Sequence, residues 1–256
     1  MDHLLIDISD RIATITINRP EVRNALDRAT VGEIRSALAD LESSADVGAI
    51  ILTGAGDQVF VAGADIRQMR ERRRDDGLAA INSSVFAAVE RCTKPTIAAV
   101  NGHALGGGCE LALACDLRVA ADHAKFGQPE VGLGIIPAAG ATQRLPRVIG
   151  LGRATQMILT GDPIDARTAL EWGLVSAVAP YPELMAAARQ LAGRVIARGP
   201  LAVRLAKVAL AASSRVDLDS GLLIETLAQA ICFESDVKRE GTTAFLEKRA
   251  PKFTGR

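Results

Sequence analysis

The residues best placed to do chemistry lie in Asn101-Gly102-His103-Ala104-Leu105-Gly106-Gly107-Gly108-Cys109-Glu110, after the apolar run Thr96 to Val100 and ahead of Leu111-Ala112-Leu113-Ala114. β-Branched and small residues, then three glycines, then a Leu/Ala run predict a strand, a tight turn and a helix that opens at the glycines. At such a start the first N–H groups have no intrahelical acceptor and the helix dipole adds partial positive charge, which suits an anion or a developing oxyanion. Glu110, three residues beyond Gly107, falls on the same helical face one turn on. The segment thus offers an oxyanion donor beside a carboxylate. The same pattern also serves packing alone, with the glutamate as a dipole partner, so the choice between the two rests on the rest of the chain.

Two further stretches supply what such a site needs. Phe60-Val61-Ala62-Gly63-Ala64-Asp65-Ile66 displays backbone without bulky side chains just before a predicted short helix, a candidate second N–H donor. Phe126-Gly127-Gln128-Pro129-Glu130 reads as a loop that brings in a second acidic residue. Twelve of the 23 glycines fall between Gly54 and Gly140, so unusual backbone, and with it the site, is expected in that third of the chain. Met69 to Asp76 is a charge run, read either as a solvated face or as a phosphate contact.

Composition narrows the function classes. Lys plus Arg and Asp plus Glu balance at 30 each and aromatics make up only 3%, so neither a basic field nor stacking platforms argue for nucleic acid. No apolar run approaches the roughly 18 residues that span a bilayer, and Met1-Asp2-His3-Leu4-Leu5 lacks a basic region ahead of an apolar one, which predicts a cytoplasmic protein. Cys92, Cys109, Cys115 and Cys232 have no CxxC spacing, and His3, His103 and His123 make no metal pattern with them. They are read as reduced apolar side chains. Gly150-Leu151-Gly152-Arg153-Ala154-Thr155 resembles half a dinucleotide fingerprint, but Thr155 replaces the third glycine and Pro146 precedes it where a strand belongs, so a nicotinamide site is rejected.

The elements that must position these residues follow from periodicity. Residues 4 to 18 predict a hairpin around Ser9-Asp10. Thr30 with Glu33 predicts a capping box, and Val31, Ile34, Leu38 and Leu41 an apolar helical face running to about Leu41. Ala49 to Leu52 reads as a buried strand, and Leu78, Ile81, Val85 and Val89 as a helix stopped by Lys94-Pro95. Short strands are predicted at Asp116 to Val119 and Val175 to Val178, with a helix ending at Leu170 to Gly173 between them. From Pro200 on, three helices are carried by Leu201/Leu205/Val208, Leu223/Leu227/Ala230/Ile231 and Val237/Gly241/Phe245. The fold class is therefore α/β, with a core over residues 1–199 and a helical lobe over 200–256.

Asn18-Arg19-Pro20 with Asn24-Ala25-Leu26, Ala62 to Ile66, Asn101 to Glu110, Gly127 to Glu130, Thr142-Gln143-Arg144-Leu145 and Leu159-Thr160-Gly161 occur in one order and spacing. Together they make the chain resemble the enoyl-CoA hydratase (crotonase) family over nearly its whole length. The resemblance implies a crotonase-type spiral of ββα turns whose C-terminal α-helical lobe trimerises, giving a homotrimer or a homohexamer made of two trimers. It implies an acyl-CoA thioester as substrate, with coenzyme A part of that substrate and no metal or redox cofactor, in a setting such as fatty-acid β-oxidation.

On the matching positions, the N–H groups of Ala64 and Gly107 would hold the thioester oxygen, with Ala62, Asp65 and Ile66 beside the substrate. Glu110 would take a proton from the water that attacks C3, and Glu130 would deliver one to C2. The amide at Ala138 would help hold that water, although this chain has Ala138 and Ala141 where the family commonly has glycine. An alanine suffices there unless the position needs φ > 0. Arg67 and Arg23 would meet CoA phosphates and Lys248 would reach a neighbour's ligand, while His103 is assigned to packing. Competing readings are an isomerase that shifts the double bond, disfavoured by the second glutamate, and a non-catalytic RNA-binding or scaffolding relative, disfavoured by the balanced charge.

Overall fold

A computed structural model describes residues 1–63 and 66–253, with the side chains of residues 66–68 left undescribed. Ala64 and Asp65 therefore lie outside the described residues, as does the side chain of Arg67. In chain order the strands are β1 (Leu4–Ser9), β2 (Ile12–Ile17), β3 (Ala49–Gly54), β4 (Val59–Val61), β5 (Thr96–Val100), β6 (His103–Leu105), β7 (Leu117–Ala121), β8 (Lys125–Gly127), β9 (Ile164–Asp165) and β10 (Ala177–Ala179). The helices are α1 (Arg28–Ser43), α2 (Ile66–Glu71), α3 (Arg74–Leu78), α4 (Ile81–Arg91), α5 (Gly107–Ala114), α6 (Ala141–Ile149), α7 (Leu151–Thr160), α8 (Ala166–Glu171), α9 (Leu184–Ile196), α10 (Pro200–Ala212), α11 (Leu218–Phe233) and α12 (Asp236–Leu246).

The long strands form one six-stranded sheet in the order β1-β2-β3-β5-β7-β10, antiparallel only between β1 and β2. The short strands form a second sheet, β4-β6-β8-β9. Each of β3-β4, β5-β6 and β7-β8 gives one strand to each sheet and then passes into helix, so the chain climbs in three ββα turns. Every residue of β3 and β5 is buried, which explains their continuous apolar composition without alternation. Asn101, between β5 and β6, donates through Nδ2 to the carbonyls of Gly54 at 2.9 Å and Gly56 at 2.7 Å, locking one turn of the spiral to the one below. Asn24 does the same from outside, donating to Ala55 and Val59.

Several expected boundaries move, each for a local reason. The N-cap of α1 is Asp27, whose Oδ1 accepts from the Thr30 N–H at 2.8 Å, so Thr30 is inside the helix as a donor to its cap. Glu33 instead accepts from the N–H groups of Asp2 and His3, tying the N-terminus to α1. Val31, Ile34, Leu38 and Leu41 form the buried face as expected. Leu78 is 74% exposed and belongs to the short α3, while α4 begins at Ile81 and buries Val85, Phe86 and Val89. The last strand starts at Ala177, two residues later than the β-branched pattern suggests, because the Val175 N–H bonds back to Ala169 O in the turn after α8. Helix α9, which the pattern leaves unassigned, packs across β3, β5 and β7.

The three C-terminal helices form as predicted, but much of their apolar surface faces outward: α11 has no buried residue, and Leu223, Leu227, Ile231 and Phe245 are all exposed, whereas Val237 of α12 is buried. Lys207 of α10 fastens this lobe to the core, donating to Asp116 Oδ2 at 2.7 Å and to the Lys94 carbonyl at 3.2 Å.

Candidate active site

Helix α5 opens at the glycine triplet. Its N-cap is Gly106, with φ 52° and ψ −122°, a conformation that side-chain-bearing residues rarely adopt. Glycine is also required there for room, because a Cβ on residue 106 would lie 2.6 Å from Oε1 of Glu130. The second glutamate is therefore packed against the start of the helix that carries the first. Gly107, as the first residue of α5, has no acceptor for its N–H within the helix. The first ββα turn meets it here: a Cβ on Gly63 would lie 2.9 Å from the Gly107 nitrogen, so the backbone at the end of β4 runs alongside that N–H.

Glu110 and Glu130 face one cavity of about 590 Å³, lined also by Ala62, Gly63, Gly106, Gly107 and Ala138. Apolar walls come from Leu133, Ile135 and Ile136 after β8 and from Met69 and Ile81 on the helical side. Arg72, Arg73 and Asp76 of the charge run line it too. Of the expected site residues, Glu110, Glu130, Gly107, Ala62 and Ala138 are thus brought together. Ala64 and Asp65 are outside the described residues, and of Ile66 and Arg67 only the backbone, at the start of α2, is described.

Arg23 and Lys248 do not line the cavity. Arg23 is exposed, and its carbonyl accepts from the Ala62 N–H at 3.1 Å, so its backbone rather than its side chain supports the cavity wall. Lys248 is exposed just beyond α12. His103 is half-buried on β6 and is likewise absent from the lining. A separate cavity of about 680 Å³ at the N-terminal ends of β3 and β5, lined by Arg11, Lys94, Arg198 and Arg204, has Glu42 as its one carboxylate among the described residues and lacks the pair.

The two carboxyls are held differently. Glu110 is 3% exposed, and its Oε1 accepts from the N–H groups of Ala139 at 2.7 Å and Ala141 at 3.0 Å. Burial pushes its pKa above the ordinary carboxyl value, against the opposing pull of those two amides and of the Arg144 guanidinium. Glu130, 9% exposed, has no such amides, and its Oε2 is buried without a partner among the described residues. Burial raises its pKa to about 7; a backbone hydrogen bond opposes the rise and the charge of Glu110 adds to it. Two amides support the charged form of Glu110 against its burial, whereas Glu130 lacks that pair and is near half-protonated at neutral pH, an asymmetry that suits a base and an acid.

Ala138 needs no glycine. The loop's positive φ falls at Gly140, at 118°, and Ala138, Ala139 and Ala141 are not among the residues with positive φ. The amides that grip Glu110 are those of Ala139 and Ala141, and sequence reasoning missed both because a backbone donor carries no side-chain signature. It also left Arg144 without a role, although the Thr142-Gln143-Arg144-Leu145 motif contains it.

Comparisons with known proteins agree with this arrangement. A sequence model of the family described as enoyl-CoA hydratase/isomerase matches residues 7–256. A crotonyl-CoA hydratase of Syntrophomonas wolfei is 46% identical over 256 residues, covering 98% of each chain. A short-chain-enoyl-CoA hydratase of Clostridium acetobutylicum is 43% identical over 251 residues, covering 97% of this chain and 96% of its own. The crystal structure of an enoyl-CoA hydratase from Bacillus anthracis superposes with a TM-score of 0.96 at 40% identity, covering 99% of this chain and 100% of that one. Spiral, paired carboxylates and full-length similarity converge, and the chain belongs to the enoyl-CoA hydratase/isomerase family.

Proposed function

We propose that this protein is an enoyl-CoA hydratase, which adds water reversibly to a trans-2-enoyl-CoA and yields the 3-hydroxyacyl-CoA. The observation that carries this reading is the pair Glu110 and Glu130, two buried carboxyls on one cavity with opposite support for their charge. Water bound at the free face of Glu110 gives it a proton and attacks C3. The electrons of the C2–C3 double bond move toward the thioester, whose oxygen takes up negative charge, and C2 collects the proton of Glu130. Glu110 ends protonated and Glu130 ionised, so exchange with solvent resets the pair. The N–H groups of Gly107 and Ala64 are assigned to the enolate oxygen; one such donor contributes about 3–4 kcal/mol when aimed at developing charge.

Each proton and the transient charge are accounted for by these groups, so the reaction calls for no metal or redox cofactor. An isomerase reading needs one acid–base group where this cavity holds two, and full-length relatives named as hydratases favour hydration. Arg67, Arg23 and Lys248 are assigned to CoA phosphates, Lys248 across a subunit boundary. The exposed Leu223, Leu227 and Ile231 of α11 suit burial against further copies of the chain, as a homotrimer or a hexamer of two trimers. No helix among the described residues is long and apolar enough to cross a membrane, and we place the protein in the cytoplasm.

The test is loss of the conjugated enoyl-thioester absorbance of crotonyl-CoA, with the product identified as 3-hydroxybutyryl-CoA. Glu110→Gln and Glu130→Gln are each expected to slow it by ~100- to 10,000-fold. No turnover of crotonyl-CoA or of longer trans-2-enoyl-CoA substrates by the wild type, despite thioester binding, would overturn the reading.

A further inference from the structure

The loop that grips Glu110 is itself held from behind. Arg144, on the first turn and a half of α6, turns its guanidinium back and donates through Nη1 to the Ala139 carbonyl at 2.9 Å. Ala139 is the residue whose N–H reaches Glu110 at 2.7 Å, so the guanidinium holds the carbonyl of the same residue whose N–H it steadies. The other arm of Arg144, Nη2, meets Oε2 of Glu90 on α4 at 3.0 Å. Oε1 of Glu90 in turn meets Nη2 of Arg215 at 3.1 Å, and Arg215 lies between α10 and α11 in the C-terminal lobe.

We infer that Arg144 is a positioning residue for Glu110, that Glu90 holds it in place, and that Arg215 extends this hold to the C-terminal lobe. The inference rests on Glu110 being the base of the proposed hydration. Residue types and burial both fit the role. Arg144 and Glu90 side chains are largely enclosed, at 17% and 33% exposure, so their interaction is less screened than that of an open surface pair. A planar guanidinium can hold a carbonyl and a carboxylate in fixed relation, which a lysine ammonium does not. Burial pushes the Glu90 carboxyl up, yet the hydrogen bonds and charges of Arg144 and Arg215 outweigh it and hold it below the usual carboxylate value. Glu90 is thus a fixed anion between two cations.

The sign of the effect on Glu110 is set by geometry. Removing Arg144 takes away a nearby positive charge and loosens the amide that stabilises the ionised carboxylate, and both changes favour the protonated form. The other charged groups that share the cavity with Glu110 are Glu130 from the turn after β8 and Arg72, Arg73 and Asp76 on its wall. All of these remain in an Arg144 variant. They form the constant background of the comparison.

Arg144→Met is expected to lower kcat by ~100-fold, in keeping with slight misplacement of a reacting group, with KM changing far less. The acid limb of the pH–rate profile should move up by about one pH unit. Glu90→Ala should move that limb in the same direction by less, Glu90→Gln should restore it by keeping an acceptor for Nη2, and Arg215→Met should give a small shift of the same sign. A titration of the ¹³C-labelled Glu110 carboxyl in substrate-free protein reads the same shift without any turnover, so it separates this inference from the assignment of hydration. Lost activity with an unmoved acid limb and an unmoved carboxyl titration in Arg144→Met would reduce Arg144 to a structural strut and overturn the inference. A Glu90→Ala protein identical to wild type, or an Arg215→Met protein identical to wild type, would overturn the part assigned to that residue.

Discussion

Glu110 is fixed to Ala139 by a 2.7 Å hydrogen bond into Oε1, the oxygen that also accepts from Ala141, so both loop amides act on one oxygen of its carboxylate. Glu130 has no comparable anchor, and that asymmetry yields the first prediction. Hydration requires Glu110 ionised and Glu130 protonated. With Glu130 titrating at about 7, kcat/KM for hydration should fall on the alkaline side with an apparent pKa near that value. A rate that stays flat from pH 6 to 9, measured with crotonyl-CoA, would remove Glu130 as the proton donor.

The same group should tilt stability with pH. In the folded chain Glu130 binds its proton up to about pH 7, whereas an unfolded glutamate releases it near 4.5. Between those values the folded state carries more protons, so its stability falls as pH rises and levels off above about 7. Glu130→Gln cannot titrate there. Its thermal midpoint should gain on wild type between pH 5 and pH 8, and a constant gap between the two melting curves would contradict the raised pKa.

Gly106→Ala tests the close approach of the two turns. The added methyl must occupy space 2.6 Å from Glu130 Oε1 and sit at φ 52°, ψ −122°. Strain of this kind costs about 1–3 kcal/mol. Displacement of the carboxyl should cut kcat by ~100-fold. A folded variant with unaltered kcat would show that Glu130 need not stand where it does.

Asp27→Ala removes the cap of α1 and the ion pair that Asp27 Oδ2 makes with Arg19 Nη2 at 2.8 Å. A loss of about 1–2 kcal/mol is expected from the cap, read from urea unfolding. An unchanged midpoint would mean that water replaces the cap at no cost.

Leu227→Glu places a charge in the outward apolar face of α11, where the leucine is 57% exposed in the single chain. If that face is covered by other copies, light scattering should report a smaller assembly than for wild type. An unaltered mass would move the assembly surface elsewhere.

What could be read from residue types alone was decided by period and by chemistry. The hairpin of β1 and β2, the buried face of α1 and the three C-terminal helices have runs long enough for a repeat to declare itself. β6 and β8 are three residues each, too short for any period, yet they carry the glycines and Glu130 into place. Glu110 was legible because it follows Gly107 by three residues on a predicted helix, whereas the pairing of Glu130 with it came from the family motif. The amides of Ala139 and Ala141 were not legible, since every residue but proline has one and only the folded loop aims it. Thr30 was mistaken for the cap because Asp27 and Thr30 are both good cap residues three apart, and only the geometry says which accepts.

Because the three ββα turns each contribute a different part, the tolerances of the site are inherited from a hydrogen-bond ladder. β4, β6 and β8 are neighbours in one sheet, whose strands lie about 4.8 Å apart, and Gly63, Gly107 and Glu130 each follow two or three residues beyond the end of one of them. That spacing is fixed by backbone and indifferent to side chains. Where the turns approach too closely for a Cβ, as at Gly63 and Gly106, the ladder dictates the residue; where it leaves room, side chains can change while the frame keeps its dimensions.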